Sequence, residues 1–191
     1  MTIDEIKNKI ASMIGEEPVI ISIFRTGGCL LCTNCKDEDY TVVIQNETES
    51  FKFADKELHI DYFVKSQSVR NKLINFEPFE QPIRMYAIDE IFKPFTTIYG
   101  DNTCNLNLSL KVEEYKQALR EDLEKTIFHP LVHWKDDDKY CNKRLWWAIL
   151  GLMFIENKSY EVTDNMKDII QKCHDGILEK TWENWVKNKL K

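Results

Sequence analysis

Three aspartates in two β-type segments have the spacing of a metal site. Asp37 and Asp39 open the β-branched segment 37–44, and Asp61 lies inside the apolar segment 58–64. Side chains at positions i and i+2 of a strand point to the same side, so Asp37 and Asp39 would project together. Three converging carboxylates repel one another unless a cation is present, and they suit a hard ion such as Mg²⁺. The spacing therefore predicts a magnesium site of the kind that phosphoryl and nucleotidyl transfer use.

Asp61 distinguishes this interpretation from a simpler one. An acidic pair before a strand, such as Asp37 and Asp39, is also typical of a solvated turn. An acid between Ile60 and Phe63 is different, because burying its charge without a partner or an ion is costly. Asp61 therefore favours the metal site over the turn.

The bulk composition allows an enzyme without requiring one. The 191 residues are 43% hydrophobic, which is enough for one compact domain or two small lobes. The net charge of -6 argues against a protein that coats nucleic acid through an extended basic face. No apolar run of about 18 residues is present, so we expect neither a signal peptide nor a membrane span. The six cysteines do not form a secreted disulfide pattern, and we expect a reducing, cytoplasmic location.

The elements that would position the acids begin with a helix. Thr2 can cap this helix and Gly15 can end it. Its apolar residues recur at helical spacing and are Ile3, Ile6, Ile10 and Met13. Four later segments have the composition of strands: 19–24, 37–44, 51–53 and 57–64. A sheet preceded by a helix is therefore predicted for the first half.

Helices dominate the second half. They are predicted over 66–74, from 109 onward, and over 139–155, 163–173 and 177–190, with Gly176 as a stop. The helix that begins near 109 has a predicted buried face of Val112, Tyr115, Leu119, Leu123 and Phe128. The segment 91–108 shows no clear pattern. The predicted fold class is α+β, a mixed sheet flanked by helices and followed by a C-terminal helical bundle, with domains at 1–105 and 106–191.

The order of these features matches a known pattern. Phe24 ends an apolar strand, and a Gly27-Gly28 turn follows it. The next strand opens with Lys-Asp-Glu-Asp-Tyr at 36–40, and Ile-Asp-Tyr at 60–62 supplies the third acid. This order resembles the DNA polymerase beta superfamily of nucleotidyltransferases, in which a Gly-Ser turn precedes an Asp-x-Asp strand and a third acid lies on a later strand. The resemblance implies a nucleotidyltransferase-like sheet.

The helical half adds to the resemblance. The segments 143–147 and 174–176 are similar to the C-terminal part of small bacterial and phage-encoded members of that family. The resemblance implies that Lys143 and Arg144 contact the triphosphate or the acceptor. Trp146 and Trp147 are instead expected to pack between helices.

The turn that would hold the triphosphate departs from the family pattern. The Gly-Ser pair is absent, and either Gly27-Gly28 or Arg25-Thr26 stands in its place. The serine before the first acid is replaced by Lys36. Backbone N–H groups of a glycine turn can still bind phosphate, and Arg25 or Lys36 can add charge. The predicted nucleotide-binding group in this region is therefore Arg25, Thr26, Gly27, Gly28 and Lys36.

The resemblance also implies a mechanism. Asp37 and Asp39 would ligate the Mg²⁺ that bridges the triphosphate. Asp61 would help to hold a second metal ion and would draw a proton from the acceptor hydroxyl. In-line attack on the α-phosphorus of an NTP, expected to be ATP, would release pyrophosphate. The acceptor stays open between a small molecule such as an antibiotic, a protein hydroxyl and an RNA end.

Two other function classes compete with transfer. The altered turn favours a catalytically degenerate module that binds nucleotide and regulates. The same acids could also serve a metal-dependent phosphohydrolase or nuclease. A separate metal site is suggested by Cys29, Cys32 and Cys35, which have the spacing C-x2-C-x2-C, although no second pair of this kind is present in the sequence.

Overall fold

The computed structural model describes residues 1–27, 30, 31, 33, 38–74, 97–100, 112–126, 139–159, 161–177 and 179–191. Within these ranges, the side chains at 73, 74, 125, 126 and 139–143 lie outside the description. The chain divides into two compact units. Of the described residues, the first unit holds the N-terminal helix, five strands and residues 67–72 of a second helix. The second unit holds four C-terminal helices together with Leu31, Thr33, Leu73 and Ile74. The domain boundary at 105 and 106 stays a prediction, because both positions lie outside the described residues.

The first helix, α1 (Ile3–Ile14), forms as predicted. Thr2 accepts a hydrogen bond from the backbone N–H of Glu5, and Glu5 accepts one from the backbone N–H of Thr2, which completes a capping box. Gly15 ends the helix in the left-handed conformation with φ at 79°. Ile6 and Ile10 are buried, whereas Met13 is 48% exposed.

Within the described residues, the sheet has five strands in the order β3-β4-β2-β1-β5. The strands are β1 (Ile20–Thr26), β2 (Glu38–Ile44), β3 (Phe51–Asp55), β4 (Ile60–Ser66) and β5 (Thr97–Gly100). β2 and β4 are parallel, whereas the other neighbouring pairs are antiparallel. The mixed sheet of the predicted α+β class is therefore confirmed.

The two faces of the sheet have different coverings. On one face, Ile6 and Ile10 of α1 pack with buried residues of β1, β2, β3 and β4, namely Ile20, Ile23, Val42, Ile44, Phe53, Tyr62 and Val64. The opposite face carries the buried side chains of Ser22, Phe24, Thr26 and Thr41. There α2 (Gln67–Ile74) places the guanidinium of Arg70 4.8 Å from the centre of the Phe24 ring. This second face holds the candidate site at one end.

Two strand predictions needed correction. β4 begins at Ile60 and not at residue 57, because Asp55 accepts hydrogen bonds from the backbone N–H groups of Glu57 and Leu58 and so forms a turn. His59 completes this turn with φ at 55°. β5 was not predicted at all, since four residues with no buried position leave no hydrophobic pattern.

The helical unit is built around α4 (Lys139–Asn157), which packs against each of the other three helices of this unit. Those helices are α3 (Val112–Thr126), α5 (Asp164–His174) and α6 (Thr181–Lys189). The side chains of α4 are buried continuously from Leu145 to Leu150, and the adjacent rings of Trp146 and Trp147 stack at a centroid distance of 3.9 Å. The prediction that these tryptophans pack inside the helical half is confirmed.

Most predicted helices of this unit are also present. Tyr115, Leu119 and Leu123 are buried in α3 as expected, and Val112 is only partly buried. Phe128 lies outside the described residues. Thr163 caps α5. The last helix begins at Thr181 rather than at residue 177, where Ile177 is 67% exposed. Across the described ranges, no helix is both long enough and apolar enough to cross a bilayer.

Candidate active site

The sheet brings Asp39 and Asp61 side by side. In the parallel pairing of β2 with β4, Asp39 stands opposite Asp61. In the antiparallel pairing of β1 with β2, Thr26 stands opposite Asp39. Partners in adjacent strands point to the same face, and neighbouring strands are about 4.8 Å apart. Thr26, Asp39 and Asp61 therefore form one row across three strands.

The backbone holds the two acids at one level of the sheet. The N–H of Glu38 donates to the carbonyl of His59 at 2.9 Å, one position before the strand pairing starts at Ile60. This bond fixes the register of the strand ends that carry Asp39 and Asp61. Both acids are partly buried, and 25% of the Asp61 side chain is exposed. The pair thus lies at the accessible end of the sheet.

Gly27 lies directly against Asp39. Its φ is 85°, in the left-handed region that favours glycine. A Cβ at this position would come within 3.0 Å of both Cβ and Cγ of Asp39 and closer still to its Oδ2. The lack of a side chain at Gly27 therefore lets the turn after β1 approach the carboxylate.

Thr26 belongs to the same row, but its side chain is buried. It is 2% exposed, and its hydroxyl lies 3.4 Å from the hydroxyl of Thr41. A buried hydroxyl with this partner supports the packing between β1 and β2. The predicted contact of the Thr26 side chain with triphosphate finds no support in this position.

Glu38 and Arg25 belong to the other face of the sheet. The guanidinium of Arg25 donates to Glu38 at 2.8 Å, and the Tyr40 hydroxyl donates to the same carboxylate at 2.7 Å. Burial, with the Glu38 hydrogen bond as a second cause, raises the pKa of Tyr40 to about 12. Tyr40 also stacks on Tyr62, whose pKa is raised by burial. The structure thus does not bring Arg25 to the face of Asp39 and Asp61, where a nucleotide-binding role was predicted.

Lys52 of β3 is a charged neighbour of Asp61. Its Nζ lies 2.5 Å from Oδ2 of Asp61 and 5.2 Å from the centre of the Phe63 ring. Sequence reasoning missed this residue. The signal that could have found it is the single cation between Phe51 and Phe53, in a strand directly before the one that carries Asp61.

Several predicted site residues lie outside the described part of the chain. They are Asp37, Gly28 and Lys36, together with the side chain of Lys143 and the cysteines Cys29, Cys32 and Cys35. Their roles remain predictions. Cys173 in α5 is described, and its side chain is buried.

Arg144 occupies a different place from the one its predicted role requires. It is 3% exposed in α4 and forms an ion pair with Asp122 of α3, which is 7% exposed. A buried, paired guanidinium is typical of a structural contact between helices, because removing either partner would leave an uncompensated charge. The predicted contact with triphosphate therefore has no support in this geometry.

The donor atoms at the site fit a hard divalent cation. Asp39 and Asp61 supply carboxylate oxygens on adjacent strands, and carboxylates are ligands that Mg²⁺ prefers. Gly27 places no side chain of its own against the Asp39 carboxylate. In the ranges that the structure covers, no three His, Cys, Asp or Glu side chains come together as metal ligands. The predicted third ligand, Asp37, is not among the residues covered.

Comparisons with known proteins find similar solved structures, two of which are given below, but no matching family profile or curated sequence. A spectinomycin adenyltransferase, AAD(9) from Enterococcus faecialis, solved with ATP and spectinomycin, aligns over 98% of this chain and 96% of its own, with 13% identity and a TM-score of 0.48. A nucleotidyltransferase-like protein from Exiguobacterium sibiricum 255-15 aligns over 99% and 72%, with 12% identity and a TM-score of 0.29.

Proposed function

We propose that this chain is a metal-dependent nucleotidyltransferase that moves an NMP from an NTP to an acceptor hydroxyl and releases pyrophosphate. The observation that carries the proposal is the parallel register of β2 and β4, which places Asp39 and Asp61 side by side on one face. Glu38 lies in the sequence between the predicted metal ligands Asp37 and Asp39, but its side chain accepts a hydrogen bond from Arg25 on the other face. The acidic motif is therefore divided between a structural and a candidate catalytic face.

Each acid has a separate proposed role. Asp39, with Asp37, would hold Mg²⁺, which when bound would neutralise the triphosphate and orient it for in-line attack. Asp61 would accept the proton of the acceptor hydroxyl. The acceptor oxygen forms a bond to the α-phosphorus as the bond from that phosphorus to the pyrophosphate oxygen breaks. The proton goes to the Asp61 carboxylate and the electron pair leaves with pyrophosphate.

The turn after β1 would receive the phosphates. Gly27 brings backbone close to Asp39, and glycine turns can present N–H groups to anions. Backbone donors would replace the hydroxyl of the Gly-Ser turn that this chain lacks. ATP is the proposed nucleotide, and we place the activity in the cytoplasm.

The test is transfer of label with stoichiometric pyrophosphate release. The full chain is incubated with each α-labelled NTP and Mg²⁺ and with pools of aminocyclitol and aminoglycoside antibiotics, proteins or RNA, and both products are measured. We expect label on an acceptor hydroxyl, one pyrophosphate for each transfer, and loss of both products in EDTA.

Other products would support the competing functions. Nucleotide binding without turnover against every acceptor would indicate a degenerate binding module. Release of inorganic phosphate, or cutting of the RNA, would indicate a hydrolase. Transfer that continues unchanged in EDTA would contradict the metal dependence.

A further inference from the structure

Lys52 is placed to interact with the candidate site through its charge. In the antiparallel pairing of β3 with β4, Lys52 stands opposite Phe63 and Ala54 stands opposite Asp61. Lys52 is thus the diagonal neighbour of Asp61 on the same face, and diagonal neighbours lie within reach of long side chains. The Lys52 side chain spans this diagonal, because its Nζ lies 2.5 Å from Oδ2 of Asp61.

The ion pair between Lys52 and Asp61 is expected to contribute little to folding stability. Half of the Lys52 side chain and a quarter of the Asp61 side chain are exposed, at 50% and 25%. Exposed pairs contribute little to folding because water screens the charges and the long side chain loses freedom. We instead expect Lys52 to act by changing the local charge, because Asp39 stands directly beside Asp61.

We propose that Lys52 is a built-in counter-ion of the Asp39–Asp61 pair and competes with the divalent cation for Asp61. This inference rests on the proposed function, since it requires cation binding at that pair. The carboxylates of Asp39 and Asp61 each carry a formal charge of -1, and the Lys52 ammonium places a charge of +1 against Asp61. A cation that approaches Asp61 must therefore displace the ammonium from Oδ2 or bind beside a positive charge.

The surroundings of Lys52 allow this displacement. Its exposed, flexible stem can move the ammonium toward solvent. The Phe63 ring, with its centre 5.2 Å from Nζ, offers a second favourable contact within the range of a cation–π interaction. Lys52 would thus be a positioning residue that keeps the carboxylates compatible before the cation arrives and lowers the affinity for that cation.

The test measures Mn²⁺ binding to the full chain by calorimetry and electron paramagnetic resonance, without nucleotide or turnover. We expect Lys52→Met and Lys52→Gln to bind Mn²⁺ about two- to fivefold more tightly than the parent chain, the range that a partly exposed charge pair allows. Lys52→Arg keeps the charge and should stay within about twofold. The matched control is Lys9→Met, which removes an exposed cation from α1, the helix on the other face.

The outcomes separate this inference from the proposed function. If the parent chain binds Mn²⁺, Asp39→Asn abolishes that binding, and Lys52→Met behaves like Lys9→Met, the counter-ion role is wrong while the metal site stands. Weaker binding in both Lys52→Met and Lys52→Gln would also overturn it. If the parent chain binds no Mn²⁺ that depends on Asp39, the metal site and the counter-ion role both fail.

Discussion

Glu38 and Asp39 are adjacent in the sequence, yet the two faces of the sheet give them different surroundings. Glu38 accepts hydrogen bonds from Arg25 and Tyr40 at 2.8 and 2.7 Å, on the face that packs against α1. Asp39 lies on the opposite face, beside Asp61 and under Gly27. The difference teaches that strand alternation, and not acidity, decides which carboxylate is available for chemistry.

The largest expected effect comes from neutralising the carboxylate on each face of the sheet in turn. Asp39→Asn should lower turnover by about 10²- to 10³-fold, because it removes a charged group aimed at the reacting phosphates. Glu38→Gln, the matched control, should keep turnover within about twofold and cost less than about 1 kcal/mol of unfolding free energy. Pyrophosphate release and urea denaturation measure the two quantities. Equal losses of turnover would mean that the two faces do not differ in function.

A second comparison uses two left-handed glycines. Gly27→Ala should destabilise the protein by about 2–4 kcal/mol, because it adds the cost of a left-handed alanine to a collision with Asp39. Gly15→Ala has a similar φ of 79°, but no atom lies within 4 Å of the added Cβ. It should therefore cost only about 1 kcal/mol. Urea denaturation of both variants gives the difference, and equal costs would show that the turn does not press against Asp39.

Tyr40 provides a test of the α1 face by pH. Its pKa of about 12 lies above the usual value near 10 because of burial first and of the Glu38 hydrogen bond second. The folded state keeps the hydroxyl proton longer than the unfolded state, so this stabilisation is complete below about pH 10 and is lost as the pH rises toward 12. The free energy of unfolding should therefore fall between these values.

Tyr40→Phe should make that fall shallower and should cost about 1 kcal/mol at neutral pH for the lost hydrogen bond. Tyr99→Phe, at an exposed position of β5, is the control for removing a hydroxyl. Urea denaturation at pH 9, 10 and 11 gives the slopes. An unchanged slope in Tyr40→Phe would contradict the assignment.

The smallest effect concerns Thr26. Thr26→Val removes a buried hydroxyl that lies 3.4 Å from Thr41, and we expect a cost of about 0.5–1.5 kcal/mol. The KM for nucleotide should not change, because the hydroxyl faces the interior. Thr41→Val removes the other member of the same contact and should cost a similar amount. A raised KM in Thr26→Val alone would return Thr26 to the nucleotide-binding group.

Local patterns predicted much of the fold. The Thr2 cap, the Gly15 stop and the alternation that separates Glu38 from Asp39 depend on residues close together in the sequence. The predicted start of β4 was wrong because the Asp55 side chain forms a turn that competes with the strand. β5 was not predicted because it is defined by its pairing with β1, which is distant in the sequence, and not by its own composition.

The site was only partly predictable for the same reason. Asp39 and Asp61 were recognised as acids at strand positions, but their direct pairing depends on the register between β2 and β4. Lys52 becomes relevant only once β3 is known to lie beside β4. Arg144 was predicted to contact the triphosphate or the acceptor, and the structure places it in a buried ion pair with Asp122. A charged residue in a helix gives no sequence signal of such burial.

The parallel pairing of β2 and β4 also has a consequence for folding. β3 and β4 can pair as a local hairpin, whereas the pairing of β2 with β4 spans the intervening β3. The contact between β2 and β4 is therefore less local, and less local contacts form more slowly. A slip by one residue would turn Asp61 toward Ile6 and Ile10 of α1, where a bare charge is strongly unfavourable. The Asp61 carboxylate, which is proposed to accept a proton, therefore also makes the misaligned sheet energetically unfavourable during folding.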